Sequence, residues 1–468
     1  MIFKPKSLTK TEGSFILPSS VAACAHPCMD KDILKEYWYN FSFQTSTLSL
    51  AACDELVFSI GNAEKLPLDG HEYSINITAD GVCVFAENEQ ALIRGFMMLL
   101  DCFKAIDLND GIATELACCE ILDKPTIQTR MVHFCIFPDT ELWQLQRFVR
   151  FCGALKYTHI ILEFWGMLKY DCLKELAWSF GYSKEQVRPI IKEARDLGME
   201  VIPMFNHWGH ASSSRIMHGK HVVLDQNPQL QTYFSDDGWC WDVSKPKVRE
   251  LFRKVRAELY ELCGDGDYFH IGCDEAFTYE QTPENIEKIC KFINGLSDEL
   301  KKENRRAIAW GDMFLYRYPH YNPNNKYACF GASPEAAQKM LELVSRDVLI
   351  ADWQYYAKEA PIETSAEFLN AGFDCLLCPS VKGEAQLNAV LNTIKEQPAL
   401  DFMQTTWHEL SAGTYYVLLG AVRSYGEVTS IKNINGRTSA AALMRKVMPI
   451  HGDYEKAGWC KQEIGFSW

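Results

Sequence analysis

From about residue 125 onward the chain repeats one pattern: a short apolar run followed by a longer amphipathic segment. The runs are TRMVHFCIF (129–137), THIILEF (158–164), MEVIPMF (199–205), DYFHIG (267–272), RAIAW (306–310), DVLIADW (347–353), FDCLLCP (373–379) and DFMQTTW (401–407). Strands of a parallel sheet are covered on both faces, so they read as continuous rather than alternating hydrophobic runs. The segments between them, such as 183–198, 245–263 and 283–303, place apolar residues at helical spacing. Ser183 and Gly198 are suited to start and stop the first of these. Eight strand–helix units in succession predict a (β/α)8 TIM barrel, an α/β fold. The competing architecture is an open doubly wound sheet. No glycine-rich phosphate loop follows an early strand, which weighs against it.

Residues 1–118 read differently, as a small α+β domain preceding the barrel. Two strands are expected within 72–88 around the turn Ala79-Asp80-Gly81, and an amphipathic helix over 89–106. The barrel then occupies 119–426, with a closing helix over 411–426. Residues 427–468 are expected to form a helical tail. A chain of 468 residues is long enough for both units.

Bulk properties exclude several classes of partner. The formal net charge of -14 disfavours a nucleic-acid backbone. No apolar stretch reaches roughly 18 residues, so no membrane span is expected. The N-terminal MIFKPKSLTKTEGSF has basic residues without a signal-length apolar run behind them. With 18 cysteines and no secretion signal, reduced thiols in a cytoplasm are expected. Cys135, Cys152 and Cys375 sit in apolar runs, where cysteine acts as a small hydrophobe. The local pairs Cys24/Cys28 and Cys375/Cys378 lack the second pair that a zinc site requires, and read as structural thiols. No metal or other cofactor is expected.

A barrel enzyme builds its site at the C-terminal ends of its strands. Here those ends carry Glu163-Phe164-Trp165, Asn206-His207-Trp208-Gly209-His210, Asp274-Glu275, Trp310-Gly311-Asp312, Asp352-Trp353-Gln354-Tyr355-Tyr356 and Trp407-His408-Glu409. Indole faces pack on the C–H face of a pyranose, and carboxylates accept from sugar hydroxyls. A carboxylic acid with a raised pKa protonates a glycosidic oxygen. The sharpest motif is His270-Ile271-Gly272-Cys273-Asp274-Glu275. On a regular strand the two carboxylates would point to opposite faces. At a strand end the backbone can turn and bring both into the site, where like charges push their pKa values apart. These features predict a carbohydrate-cleaving enzyme.

HIGCDE resembles the H-x-G-G-D-E signature of the family 20 β-N-acetylhexosaminidases, and the resemblance covers most of the chain. DKPTIQTRM (123–131) is similar to that family's entry into strand 1, GMEVIPMFNHWGH to the strand ending in D-x-P-G-H, and TTWHEL to its last strand. Residues 1–118 resemble the small domain preceding the family's barrel. The resemblance implies an exo-acting enzyme that removes a terminal β-linked GlcNAc or GalNAc with retention, the substrate's acetamido oxygen forming an oxazolinium intermediate. It assigns Asp274 to orienting the acetamido group and Glu275 to general acid/base work. Arg130 and Glu409 would bind sugar hydroxyls, His210 would support the acid/base, and Trp310, Trp353 and Trp407 would wall the pocket. Glu163 is a further candidate for substrate binding.

The chain departs from the family pattern at several places. Cys273 stands for the second glycine, Asn206-His207-Trp208 for D-x-P, and Cys135 for an aspartate after strand 1. Strand 2 ends in Glu163-Phe164-Trp165, closer to the intracellular hexosaminidase D branch. Pro379-Ser380-Val381-Lys382 lacks the family's acetamide-binding tyrosine, for which Tyr355 or Tyr356 would substitute. Lys169 and Lys382 could reach an anionic group. Three other functions compete: a retaining glycosidase of other specificity using Glu163 and Glu275, a non-catalytic sugar-binding barrel, and a metal-dependent hydrolase built on His133, His207 and His210.

Overall fold

The computed structural model describes residues 2–51, 56–60, 68–109, 111–212, 223–320, 322–407, 410–426 and 436–448. The first unit holds β1 (Ser7–Ile16), β2 (Ser20–Ala25), α1 (Asp32–Phe41), β3 (Thr47–Leu50), β4 (Leu56–Ile60), β5 (Tyr73–Thr78), β6 (Gly81–Ala86), α2 (Glu89–Asp101), β7 (Lys104–Leu108) and β8 (Gly111–Asp123). Its sheet runs β1-β8-β5-β6-β4-β2-β3, with β7 added on β8. Helices α1 and α2 meet through Trp38, which stacks on Phe96 at 6.2 Å. The β5–β6 hairpin turns at Thr78 and Gly81.

Two boundaries differ from the sequence reading. The helix expected over 89–106 ends at Asp101, because Lys104–Leu108 pairs antiparallel with β8 as a strand. The unit also runs past residue 118. Strand β8 continues to Asp123, whose carboxylate accepts from Lys6 N and from Tyr73 Oη.

The second unit alternates throughout: β9 (Arg130–Cys135), α3 (Leu142–Ala154), β10 (His159–Glu163), α4 (Lys184–Asp196), β11 (Glu200–Met204), α5 (Val223–Gln226), α6 (Pro246–Cys263), β12 (Tyr268–Gly272), α7 (Pro283–Lys302) and β13 (Arg306–Trp310). It continues with α8 (Pro334–Leu343), β14 (Leu349–Trp353), α9 (Glu363–Asn370), β15 (Cys375–Cys378), α10 (Glu384–Glu396), β16 (Leu400–Thr405) and α11 (Leu410–Tyr425). Strands β9 to β16 are parallel and close on themselves, with Met403 of β16 opposite Met131 of β9. The fold is a (β/α)8 barrel behind a small α+β domain. Beyond it, α12 spans Gly436–Lys446; the rest of the expected tail lies outside the described residues.

Local chemistry explains the helices. Ser183 caps α4 by accepting from Gln186 N, while Gln186 Oε1 accepts from Ser183 N. Pro246 and Pro283 stand in the first turns of α6 and α7, where a missing N–H costs nothing. Inside the barrel, Met131, Ile161, Ile202, Ile308, Leu376 and Met403 interlock; the alternate residues pack outward against the helices. No helix among the described residues is long and apolar enough to cross a membrane.

Candidate active site

The carboxylate pair follows β12, and the backbone there leaves extended geometry at once. Gly272, Cys273 and Glu275 have φ of 68°, 75° and 48°. Left-handed backbone at a non-glycine residue is uncommon and concentrates where function requires it. This turn overrides the two-residue alternation of a strand, and the two adjacent side chains converge on one imidazole. His210 Nε2 lies 2.9 Å from Glu275 Oε2 and 3.3 Å from Asp274 Oδ2. His210 is itself left-handed, at φ 54°. Cys273 occupies a conformation that glycine adopts freely, which gives the glycine of the resembling signature a physical reason.

The two carboxylates are held in unequal surroundings. Asp274 is buried, whereas the Glu275 side chain keeps 29% of its exposure. Gly209 lies against the pair, and a Cβ there would overlap the carbonyl oxygen of Asp274. Glu275 is pinned through its main chain. Its N–H donates to Asp312 Oδ2 at 2.8 Å, and its carbonyl accepts from Trp239 Nε1 at 2.6 Å. The Trp239 ring also packs on His210 at 4.6 Å.

Asp312 joins this centre to the pocket wall, since its Oδ1 accepts from Trp353 Nε1 at 3.0 Å. Burial, and then the negative charge of Asp274, push its carboxyl well above the usual carboxylate range. The two N–H donors oppose that rise without cancelling it. Tyr355 Oη accepts from Trp407 Nε1 at 2.7 Å and lies 3.0 Å from Thr405 Oγ1. Trp353 and Tyr355 pack at 4.9 Å. A cleft of about 330 Å³ opens above the pair, walled by Phe330, Trp353, Tyr355 and Trp407, with Tyr356, Ser380 and Lys382 also lining it. It suits one sugar ring held between aromatic faces.

The sequence-predicted residues do not all gather here. His210, Asp274, Glu275, Trp353, Tyr355 and Trp407 line the cleft. Arg130 does not. It is the first residue of β9, so it sits at the opposite mouth of the barrel, where its guanidinium donates to the carbonyls of Ile127, Gln128 and Lys156. It braces the barrel floor. Trp310 is fully buried below the cleft, 5.6 Å from Trp407, and supports the wall from beneath. Glu163 is engaged within the barrel: it accepts from Asn206 Nδ2 at 2.8 Å and the Cys135 thiol at 2.9 Å, and meets His133 Nε2 at 3.1 Å. Glu409 and His408 lie outside the described residues.

The three histidines considered for a metal are separated. His133 meets Glu163, His210 meets the carboxylate pair, and His207 Nδ1 lies 2.6 Å from the Phe205 carbonyl oxygen. Burial pushes the His207 ring down to about 3. Among the described residues three groups bring potential ligand atoms within 4.8 Å of one another: His26/Cys28/Glu89, His133/Cys135/Glu163 and His210/Asp274/Glu275. Strand-end inspection missed Trp239 and Phe330, which arrive from loops. It gave Asp312 no role, although that residue follows Trp310 by two positions.

Residues 162–382 match the family described as glycosyl hydrolase family 20, catalytic domain. A lacto-N-biosidase of Bifidobacterium bifidum is 21% identical over 328 residues, covering 65% of this chain and 28% of that protein. A beta-hexosaminidase of Porphyromonas gingivalis is 24% identical over 302 residues, covering 54% and 37%. The chain thus spans well under half the length of these curated relatives. The crystal structure of a family 20 exo-β-N-acetylglucosaminidase from Vibrio harveyi in complex with N-acetylglucosamine superposes with a TM-score of 0.67 at 17% identity, over 95% of this chain and 75% of that one. A family 20 β-N-acetylhexosaminidase from Streptomyces coelicolor A3(2) gives 0.65 at 15%, over 97% and 95%. The family match spans the strand that carries the carboxylate pair, and the fold is shared with these structures over nearly all of the chain.

Proposed function

We propose that this chain is an exo-acting β-N-acetylhexosaminidase that removes a terminal β-linked GlcNAc or GalNAc with retention, the substrate's own acetamido oxygen serving as nucleophile. One observation carries the reading: both carboxylates that line the cleft are adjacent in sequence and bound to the same His210 nitrogen. A direct double displacement needs a nucleophile about 5–5.5 Å from the acid, across the anomeric carbon. Among the described residues lining the cleft no such partner faces Glu275. The pair used by the competing glycosidase reading fails on the same ground, because Glu163 is buried with both oxygens engaged.

In this reading Glu275, the more exposed of the two, protonates the leaving oxygen and then activates water. Asp274 holds the acetamido N–H and stabilises the positive charge of the oxazolinium in a site shielded from water. Tyr355, facing inward beside Trp407, contacts the acetamide oxygen; Tyr356 stays largely exposed at the rim. No disulfide joins the cysteines of the described residues, which supports a reducing, cytoplasmic location. The test compares aryl β-GlcNAc, β-GalNAc and β-glucoside. Turnover of either acetamido sugar far above the glucoside is expected, and equal turnover of the glucoside overturns substrate assistance.

A further inference from the structure

The catalytic cleft is not the largest cavity in the molecule. A cleft of about 750 Å³ is lined by residues of α6 and α7 and of the loop that precedes α6. Its inner surface is aromatic, with Trp241, Phe252 and Phe292. Its rim is cationic: Arg249 and Arg253 from α6 face Lys288 and Lys291 from α7. That concentration stands out in a chain of net charge -14.

The acids Glu299 and Asp242 of the cleft leave two cations of this rim, Arg249 and Lys291, without an ion pair among the described residues. Glu299 is taken by Arg253 and Arg256, and Asp242 pairs with Lys245. Lys288 reaches only the exposed Glu284, a pair that solvent screens. Arg249 meets the backbone carbonyl of Val243, and Lys291 has no ion pair among the described residues. Arg256, only 1% exposed, also lines the cleft, and its Nη1 has no hydrogen-bond acceptor in the structure. A buried guanidinium nitrogen without an acceptor favours a ligand that brings one. On α7, Gly295 leaves open space where a side chain would project.

The floor of this cleft is the back of the catalytic centre. Residues 239–241 form a strap with two faces. On one face Trp239 Nε1 donates to the carbonyl of Glu275, and its ring covers His210. On the other, Cys240 and Trp241 line the α6–α7 cleft. Trp241 Nε1 donates to the carbonyl of Asn206 at 2.9 Å, and Trp241 N to the carbonyl of Trp208, both on the segment that delivers His210.

We propose that the α6–α7 cleft is a second binding site, for a small organic anion with an aromatic body, and that its occupancy acts on Glu275 through the Trp239–Trp241 strap. The anionic group sits between Arg249 and Lys291, and the ring lies on Phe292, which backs onto Phe252 and Trp241. A ligand packed there fixes the strap and with it the Glu275 carbonyl and the His210 ring, so it raises kcat/KM. The coupling half rests on the function proposed above; the binding half does not.

The test uses the full chain and two probes of this chemistry. Fluorescent anilinonaphthalene sulfonate reports binding directly, without any substrate. Arg249→Glu with Lys291→Glu is expected to weaken it by about tenfold or more. Gly295→Phe, which fills open space and favours the helix, is expected to abolish it. Naphthalenesulfonate should displace the probe, while neutral naphthalene methanol should not. Equal probe binding by the wild type and both variants overturns the site. In the second arm, saturating naphthalenesulfonate should raise kcat/KM on aryl β-GlcNAc by about fivefold, within the usual range for coupled sites, and should do nothing to Gly295→Phe. A fall or no change in the wild type overturns the coupling. If no aryl glycoside is turned over at all, the proposed function fails, and the fluorescence arm still decides the site.

Discussion

Asp312 offers the sharpest test of how the centre is held. Its carboxylate is 1% exposed and accepts two N–H donors, one from the backbone of Glu275 and one from the Trp353 indole. Asp312→Asn keeps the shape but turns one accepting oxygen into an NH2 group. One of the two buried donors then faces another donor. Loss of a charge-assisted hydrogen bond is worth about 1.5–3 kcal/mol. At ~1.4 kcal/mol per decade, that predicts a fall in kcat/KM of about 10- to 150-fold if the displaced group is Glu275. A purely structural role would lower the melting temperature without moving kcat/KM or its pH profile, so stability and kinetics are both measured. The sign is fixed by the direction of the shift. Burial raises the folded-state pKa of Asp312, so the native state holds its proton to a higher pH than the unfolded chain does. Wild-type stability therefore falls as pH rises from ~4 through that raised value. Denaturant titrations across this range should show a flatter slope for Asp312→Asn. Activity within twofold of wild type, with an unchanged pH slope, refutes the assignment.

Other substitutions follow from the same geometry. Glu275→Gln should lose about 10²–10⁴-fold on substrates with poor leaving groups and less on activated aryl glycosides, whereas Asp274→Asn should hurt both alike; a steeper leaving-group dependence for Asp274→Asn would reverse their roles. Gly209→Ala drives a methyl into the Asp274 carbonyl and should destabilise by about 1–3 kcal/mol while abolishing turnover, checked by calorimetry and assay together; wild-type kinetics would refute the close approach. Tyr355→Phe leaves the Trp407 indole N–H without its acceptor, an expected ~1–3 kcal/mol read as raised KM or lowered kcat; no change in either would show that the hydroxyl is idle. Asp352, buried and held by Thr364 and Gln354, is pushed up to about 6, so it too withdraws stability as pH rises from ~4 to about 6. Unfolding free energies for Asp352→Asn should be flatter over that window, and an identical slope would show that the carboxyl does not titrate there.

Strands β9 to β16 were legible in the sequence because a strand buried on both faces has no polar side to disguise it. The carboxylate pair was legible for a related reason: two acids separated from YFHIG only by Cys273 have no structural excuse. What escaped was conformational. Nothing in Cys273-Asp274-Glu275 announces left-handed backbone on either side of Asp274, and that turn is what brings both carboxylates to His210. Trp239 escaped because it reaches the site from a loop, through an indole that binds a carbonyl rather than a sugar. Arg130 was misplaced by motif resemblance. Its position at the start of β9 already assigned it to the mouth opposite the site. The Lys104–Leu108 strand was hidden in an apolar run that continues the spacing of α2.

Closure of the barrel has a kinetic meaning. Trp407 follows β16, and β16 pairs with β9; the adjoining bond from Thr406 Oγ1 to the His133 carbonyl spans 273 residues. Contacts so distant in sequence form late, after local helices and neighbouring strands. A chain leaving the ribosome holds His210, Asp274 and Glu275 long before it holds the wall that completes their pocket. Seven strands in place would leave β9 and β15 with unpaired edges, the surfaces most prone to misassociation. Regain of turnover on refolding should therefore trail the recovery of helical signal, and the lag between them would time the joining of the barrel's first and last strands.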